Sequence, residues 1–175
     1  MTDRSQKGVR AERVLVVDDE EAIRKIIASI LVAADYECRE AASGLEALSL
    51  LSGDTFDLVL YDLMMPLHNF DGIGLLERTT KQYPDIPVVI VTAVHDVSIA
   101  LATMRNGAFD YLTKPFEREQ LLNAVARALE NRRLKLEHQA YVSNLKAQVA
   151  TLSEQLCVRE SQHSAAARSF DLPEK

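Results

Sequence analysis

Three carboxylates, one hydroxyl and one amine carry the chemical interest of this sequence. Asp18 and Asp19 close the apolar run Arg13-Val14-Leu15-Val16-Val17. Asp62 closes Phe56-Asp57-Leu58-Val59-Leu60-Tyr61, Thr92 closes Val88-Val89-Ile90-Val91, and Lys114 follows Phe109-Asp110-Tyr111-Leu112. Carboxylates gathered in one place repel one another and raise each other's pKa, which a divalent cation relieves. Carboxylate and carbonyl oxygens are hard ligands suited to magnesium, an ion that keeps several waters and often holds a phosphate. No cluster of His and Cys points to zinc. A threonine hydroxyl and a lysine ammonium suit the oxygens of a phosphoryl group in transit. Asp62 is then the candidate nucleophile, forming an aspartyl phosphate.

These residues meet only if the strands that end in them lie side by side and parallel. The sequence supplies that framework. Ile23, Ile26, Ile27, Ile30 and Leu31 follow helical spacing after the first strand, and Tyr36 to Glu40 reads as a second. Ser43 caps a helix whose apolar face is Leu45, Ala47, Leu48 and Leu51, and Gly53 ends it. After Asp62, the loop Met65 to Gly72 leads to a helix through about Tyr83, with Ile73, Leu75 and Leu76 inward. Pro84 and Pro87 bracket the turn into the fourth strand, a helix spans about Asp96 to Arg105, and Asn106-Gly107 stops it. The fifth helix begins near Glu117. Alternating strands and helices imply a parallel sheet covered on both faces with right-handed crossovers. In such sheets ligands gather beyond the carboxyl ends of the strands. Asp18, Asp19, Asp62, Thr92 and Lys114 should therefore converge on one edge.

Together the segments Val16-Val17-Asp18-Asp19-Glu20, Asp57 to Pro66, Asp71-Gly72, Val91-Thr92-Ala93 and Gly107 to Phe116 resemble the receiver domain of two-component response regulators, chemotaxis-regulator-like, over Val14 to Phe116. The resemblance implies a flavodoxin-like, doubly wound five-stranded parallel sheet in the order 2-1-3-4-5. It also implies Mg2+ as cofactor and Asp62 as phosphoacceptor. Asp19 would be a direct magnesium ligand and Asp18 one acting largely through water, with Asp62 and the backbone carbonyl of Met64 completing the set. Thr92 would be the switch hydroxyl, Ala93 would contribute its backbone, and Lys114 would bind phosphate. Tyr111 would be the aromatic switch, although a tyrosine on a strand, taken alone, is more often core. The Lys114–Pro115 peptide would be cis. Such a chain is not an enzyme with a separate substrate; it promotes its own phosphorylation and dephosphorylation after transfer from a sensor histidine kinase or phosphotransfer protein.

Two departures from the family pattern stand out. Leu67-His68-Asn69-Phe70 replaces a two-residue spacer, an insertion expected to alter kinase choice. Met64 and Val94 occupy the positions flanking the path of the attacking water, where apolar side chains predict a long-lived phosphoryl group. His68 and His95 read as solvated loop residues. Glu20 and Glu21 favour the positive end of the first helix, and Glu20 is placed to line the acidic pocket.

The chain of 175 residues has room for one domain and an appendage. Boundaries are expected at 1–12 for a flexible leader, 13–128 for the receiver, 129–160 for a helical coiled-coil extension and 161–175 for a disordered tail. From Glu117 to about Glu160 there is no Gly or Pro. Leu122, Val125, Leu129 and Leu136 begin an apolar stripe that resumes, after a phase shift near Gln139, as Val142, Leu145, Val149, Leu152 and Leu156. Steps of three and four are coiled-coil spacing, which predicts a parallel homodimer; a helix folded back on the receiver is the alternative. The net charge of −6 argues against direct nucleic-acid binding. No apolar run reaches the ~20 residues a membrane helix needs, and the N-terminus lacks a secretory core. Cys38 reads as a small core residue and Cys157 as a free thiol near the seam, so a reducing cytoplasm is expected. The competing functions are an oligomerising scaffold in which phosphorylation is incidental, and a phosphate-ester hydrolase. The latter is disfavoured by Met64 where many phosphatases place a second acid.

Overall fold

A computed structural model of the chain describes residues 10–65 and 72–168, with side chains beyond Leu156 described only at Arg159. Strands and helices alternate as β1 (Arg13–Val17), α1 (Glu21–Val32), β2 (Glu37–Ala41), α2 (Gly44–Gly53), β3 (Leu58–Tyr61), α3 (Gly72–Gln82), β4 (Val88–Thr92), α4 (Val97–Arg105), β5 (Asp110–Thr113) and α5 (Arg118–Arg168). Every strand pair is parallel, and the sheet order is β2-β1-β3-β4-β5. This is the flavodoxin-like order that the resemblance implies.

Successive side chains of a strand point to opposite faces, so each central strand feeds two cores. Val14, Val16, Leu58, Leu60, Val89 and Val91 pack with Ile27 and Leu31 of α1 and with Leu121, Ala124, Val125, Ala128 and Leu129 of α5. Leu15, Val17, Val59, Tyr61, Val88 and Ile90 pack with Ala47 and Leu51 of α2 and Leu75 and Leu76 of α3. Burial on both faces explains why these strands read as continuous apolar runs. Each fully buried Leu, Ile or Val contributes about 1.5–3 kcal/mol, so the registry of the four functional strand ends rests on a well-anchored sheet.

Local chemistry sets the element ends. The Ser43 hydroxyl accepts from Glu46 N at 3.2 Å while Glu46 Oε2 accepts from Ala42 N at 2.8 Å, a reciprocal cap on α2. Asp96 caps α4 by accepting from Ser98 N at 2.7 Å. Gly107 stops α4 with a φ of +95°; a Cβ there would lie 3.3 Å from Thr80 Cγ2. The Thr80 hydroxyl donates to Asn106 O at 3.2 Å, tying the end of α4 to α3.

The chain forms two compact units, divided between Arg133 and Leu134. The first contains the whole sheet, and α5 contributes to it through Leu129 and Arg132, a little past the expected boundary at residue 128. The second is the remainder of α5. It carries Leu145, Val149, Leu152 and Leu156 exposed, with Val142 partly covered.

Three expectations need correction or restriction. Arg10–Glu12 is held rather than free: Arg10 reaches Asp57, and Glu12 O accepts from Glu37 N at 2.9 Å. The helix continues through 161–168, because Ala165-Ala166-Ala167 are strong helix formers and no Gly or Pro interrupts it. The rest of the leader, the inserted loop Leu67 to Phe70 with His68, residues after Arg168 and the side chain of Cys157 lie outside what is described.

Candidate functional site

β1, β3, β4 and β5 deliver Asp18, Asp62, Thr92 and Lys114 to the carboxyl-terminal edge of the sheet. Asp18 and Asp62 are 2% and 3% exposed. Buried carboxylates need compensation, and Lys114 supplies it. Its ammonium donates to Asp18 Oδ2 and to Asp62 Oδ2, each at 2.6 Å. The remaining oxygens accept from backbone: Asp62 Oδ1 from Met64 N at 2.9 Å, and Asp18 Oδ1 from Glu20 N at 2.9 Å. Burial pulls the Lys114 pKa down, but the bonds to Asp18 and Asp62 outweigh it and hold the ammonium above its ordinary value. The Lys114–Pro115 peptide is cis, as the resemblance implies.

Thr92 is fully buried, and its hydroxyl oxygen accepts from Val94 N at 3.5 Å. The phenol of Tyr111 donates to Val94 O at 2.6 Å, so β5 grips the β4–α4 turn next to Thr92. Burial, then the charges of Asp62 and Asp96, push the Tyr111 pKa above its usual value. Tyr111 is half-buried and also packs against the core cluster that holds Tyr61 and Ile90. Met64 and His95 are exposed, and Ala93 is exposed beside Thr92.

The acidic set differs in one member from the sequence-based ligand list. Carboxylate oxygens of Asp18, Glu20 and Asp62 lie within 4.8 Å of one another. Asp19 is exposed and is not in this set. Glu20 is the N-cap of α1 yet makes no side-chain cap hydrogen bond, which leaves its carboxylate to the cluster. Three carboxylates against one ammonium leave an excess of negative charge on hard oxygen donors, which fits a small divalent cation.

Two arrangements escape sequence inspection. Arg24, in the first turns of α1, donates from one guanidinium nitrogen to Asp18 O at 2.7 Å and Asp19 O at 3.1 Å. At the opposite end of β3, Asp57 is buried, accepts from Arg13 N at 2.8 Å and from Arg10 at 2.9 Å, and forms an ion pair with Arg132 of α5 at 2.8 Å. The only sequence signal for either is a charged residue inside or beside an apolar run.

An acid pocket closed by a lysine thus lies at the carboxyl edge of a 2-1-3-4-5 parallel α/β sheet. The family model described as "Response regulator receiver domain" matches residues 14–126, and the chain belongs to that family. It is 38% identical over 125 residues to a putative response regulator NtrX-like of Rickettsia bellii, covering 71% of this chain and 26% of that protein. It is 36% identical over 126 residues to the DNA-binding transcriptional regulator NtrC of Escherichia coli, covering 72% and 26%. The chain therefore spans about a quarter of the length of these curated relatives. Among solved structures, a CheY-like receiver domain protein from Methanospirillum hungatei superposes with a TM-score of 0.67 at 29% identity, covering 71% of this chain and 98% of that one. No helix among the described residues is long and apolar enough to cross a membrane.

Proposed function

We propose that this chain receives a phosphoryl group on Asp62 from a sensor histidine kinase or a phosphotransfer protein, in a magnesium-dependent reaction, and that the phosphoryl group switches the receiver. The observation that carries this reading is the Lys114 ammonium shared between Asp18 and Asp62 inside a buried acid cluster. Asp18, Asp62 and the Met64 carbonyl would hold the ion, with Asp19 or the clustered Glu20 as the further acid. The bound ion supplies charge neutralisation for phosphoryl oxygens.

A carboxylate oxygen of Asp62 attacks phosphorus, and the bond from phosphorus to the donor's imidazole nitrogen breaks. The electron pair leaves with the imidazole, which takes up a proton. Lys114 is released from full engagement with Asp62, whose charge moves outward onto the phosphoryl oxygens, and follows that charge. Thr92 turns its hydroxyl to donate to the same oxygens, aided by the backbone N–H of Ala93. The Tyr111–Val94 bond couples that movement to β5 and to the start of α4. Phosphorylation thus biases a two-state element by local charge.

The remaining assignments belong to the same reading. Autocatalysed loss of the phosphoryl group resets the switch. The second unit pairs with another copy as a parallel coiled coil, because a solitary helix would leave Leu145, Val149, Leu152 and Leu156 in water. A cytoplasmic setting matches a phosphohistidine donor. Incubation with acetyl phosphate and magnesium, read by intact mass, tests the reaction. One added phosphoryl group that is absent from Asp62→Asn is expected. No adduct from either acetyl phosphate or a phosphorylated histidine kinase would overturn it.

A further inference from the structure

We infer that Arg24 is a positioning residue for the acid turn, setting magnesium affinity from behind the pocket without touching the ion. The inference rests on the reading of the pocket as a magnesium site. Arg24 sits at the fourth position of α1, where a cation opposes the positive end of the helix dipole. Its placement therefore does not serve the helix. Its side chain is 12% exposed, and one guanidinium nitrogen donates to the carbonyls of both Asp18 and Asp19. Glu40 of β2 faces the same guanidinium at 3.5 Å and balances its charge. The two peptide units that carry the acids are thus held through their carbonyls rather than through their carboxylates. The Asp18 carboxylate is held in turn by the N–H of Glu20, so the backbone of the turn, the Asp18 side chain and the Glu20 cap form one connected set. Groups that orient metal ligands are commonly worth 10–100-fold in metal affinity.

The sign of the effect separates positioning from simple charge. A guanidinium near an acid cluster repels Mg2+, so on charge alone its removal would tighten binding. Positioning predicts the reverse. The test is isothermal titration of MgCl2 into the full unphosphorylated chain, with thermal unfolding of the metal-free variants alongside. Arg24→Gln should weaken Mg2+ binding about tenfold. Arg24→Lys, which keeps the charge on a shorter side chain, should lose roughly two- to fivefold. Glu40→Gln, which leaves the carbonyl bonds in place, should bind within about twofold of the native chain. Equal or tighter binding by Arg24→Lys overturns the inference even where Arg24→Gln fails to fold. A loss in Glu40→Gln as large as that in Arg24→Gln also overturns it, since packing of α1 on β2 would then be the cause. Absence of Mg2+ binding to the native chain refutes the pocket reading itself, whereas native binding with unaltered variants refutes only the role of Arg24.

Discussion

Asp57 offers the sharpest stability test, because it stands across the four residues of β3 from Asp62 and touches none of the site. Asp57→Ala removes the acceptor of two hydrogen bonds and the partner of a further ion pair. The bond from Arg13 N is a neutral one, contributing about 1 kcal/mol. The ion pair with Arg132 is mostly shielded from water, contributing about 2–3 kcal/mol, below the full cost of breaking a buried pair, and Arg132 is also fixed by its donation to Asp85 O at 3.0 Å. The Arg10 guanidinium is 56% exposed, so its pair contributes only about 0–1 kcal/mol. The expected loss is roughly 3–5 kcal/mol, within the range for breaking a buried pair. The assay is urea unfolding of the native chain, Asp57→Ala, Arg132→Met and the double variant. A coupling of about 1 kcal/mol or more between positions 57 and 132 is expected from contacting partners. Acetyl phosphate should still label Asp62 in the folded Asp57→Ala chain. A loss under about 1 kcal/mol, or full additivity of the two substitutions, would refute the reasoning.

Alkaline pH should weaken the fold in two overlapping windows. The folded-state pKa of Lys114 is raised, so its contribution is complete below its ordinary value of 10.5 and is lost as pH climbs through the folded value; Lys114→Met should remove that part of the urea-midpoint decline. Cys38, pushed up to about 11 chiefly by burial, ionises first in the unfolded chain, so stability also falls from its ordinary value of 9.0 to about 11, a decline that Cys38→Ser should abolish. Replacing Met64 by Asn and Val94 by Glu should place polar groups on the water's path and speed loss of the phosphoryl group by roughly tenfold, about 1.4 kcal/mol of barrier. Radiolabel decay checks this. Leu145→Asn with Leu152→Asn should convert a dimer to monomer in sedimentation equilibrium without changing the mass adduct at Asp62; an unchanged mass average would count against the coiled coil.

Residues at strand ends were readable because the geometry of a parallel sheet does the work of bringing them together. Once β1 is seen to end at Val17 and β5 to precede Lys114, convergence follows from topology, although Lys114 and Asp18 are far apart in the chain. The cores were readable for the same reason: Val14 and Val16 part from Leu15 and Val17 by simple alternation. Contacts made by long cationic side chains were not readable. Arg24 turns back onto carbonyls, which are identical in every residue, and Arg132 finds Asp57 across most of the receiver unit. Neither leaves a periodic trace. Asp19 illustrates a finer limit. Adjacent residues leave the backbone in different directions, so sequence neighbours need not share a pocket, and Glu20 stands in the acid cluster instead. The disorder expected over 161–168 came from polar composition, which the helix propensity of three alanines outweighs.

The bridging ammonium of Lys114 has a consequence for how the pocket waits. A tethered cation is present at a high effective concentration that dilution cannot lower. Asp18 and Asp62 therefore carry their counter-charge within the fold itself. Under the proposed reading, a divalent cation entering the pocket competes with that ammonium for the carboxylate oxygens. The displaced ammonium remains within reach, primed for the next anion to enter.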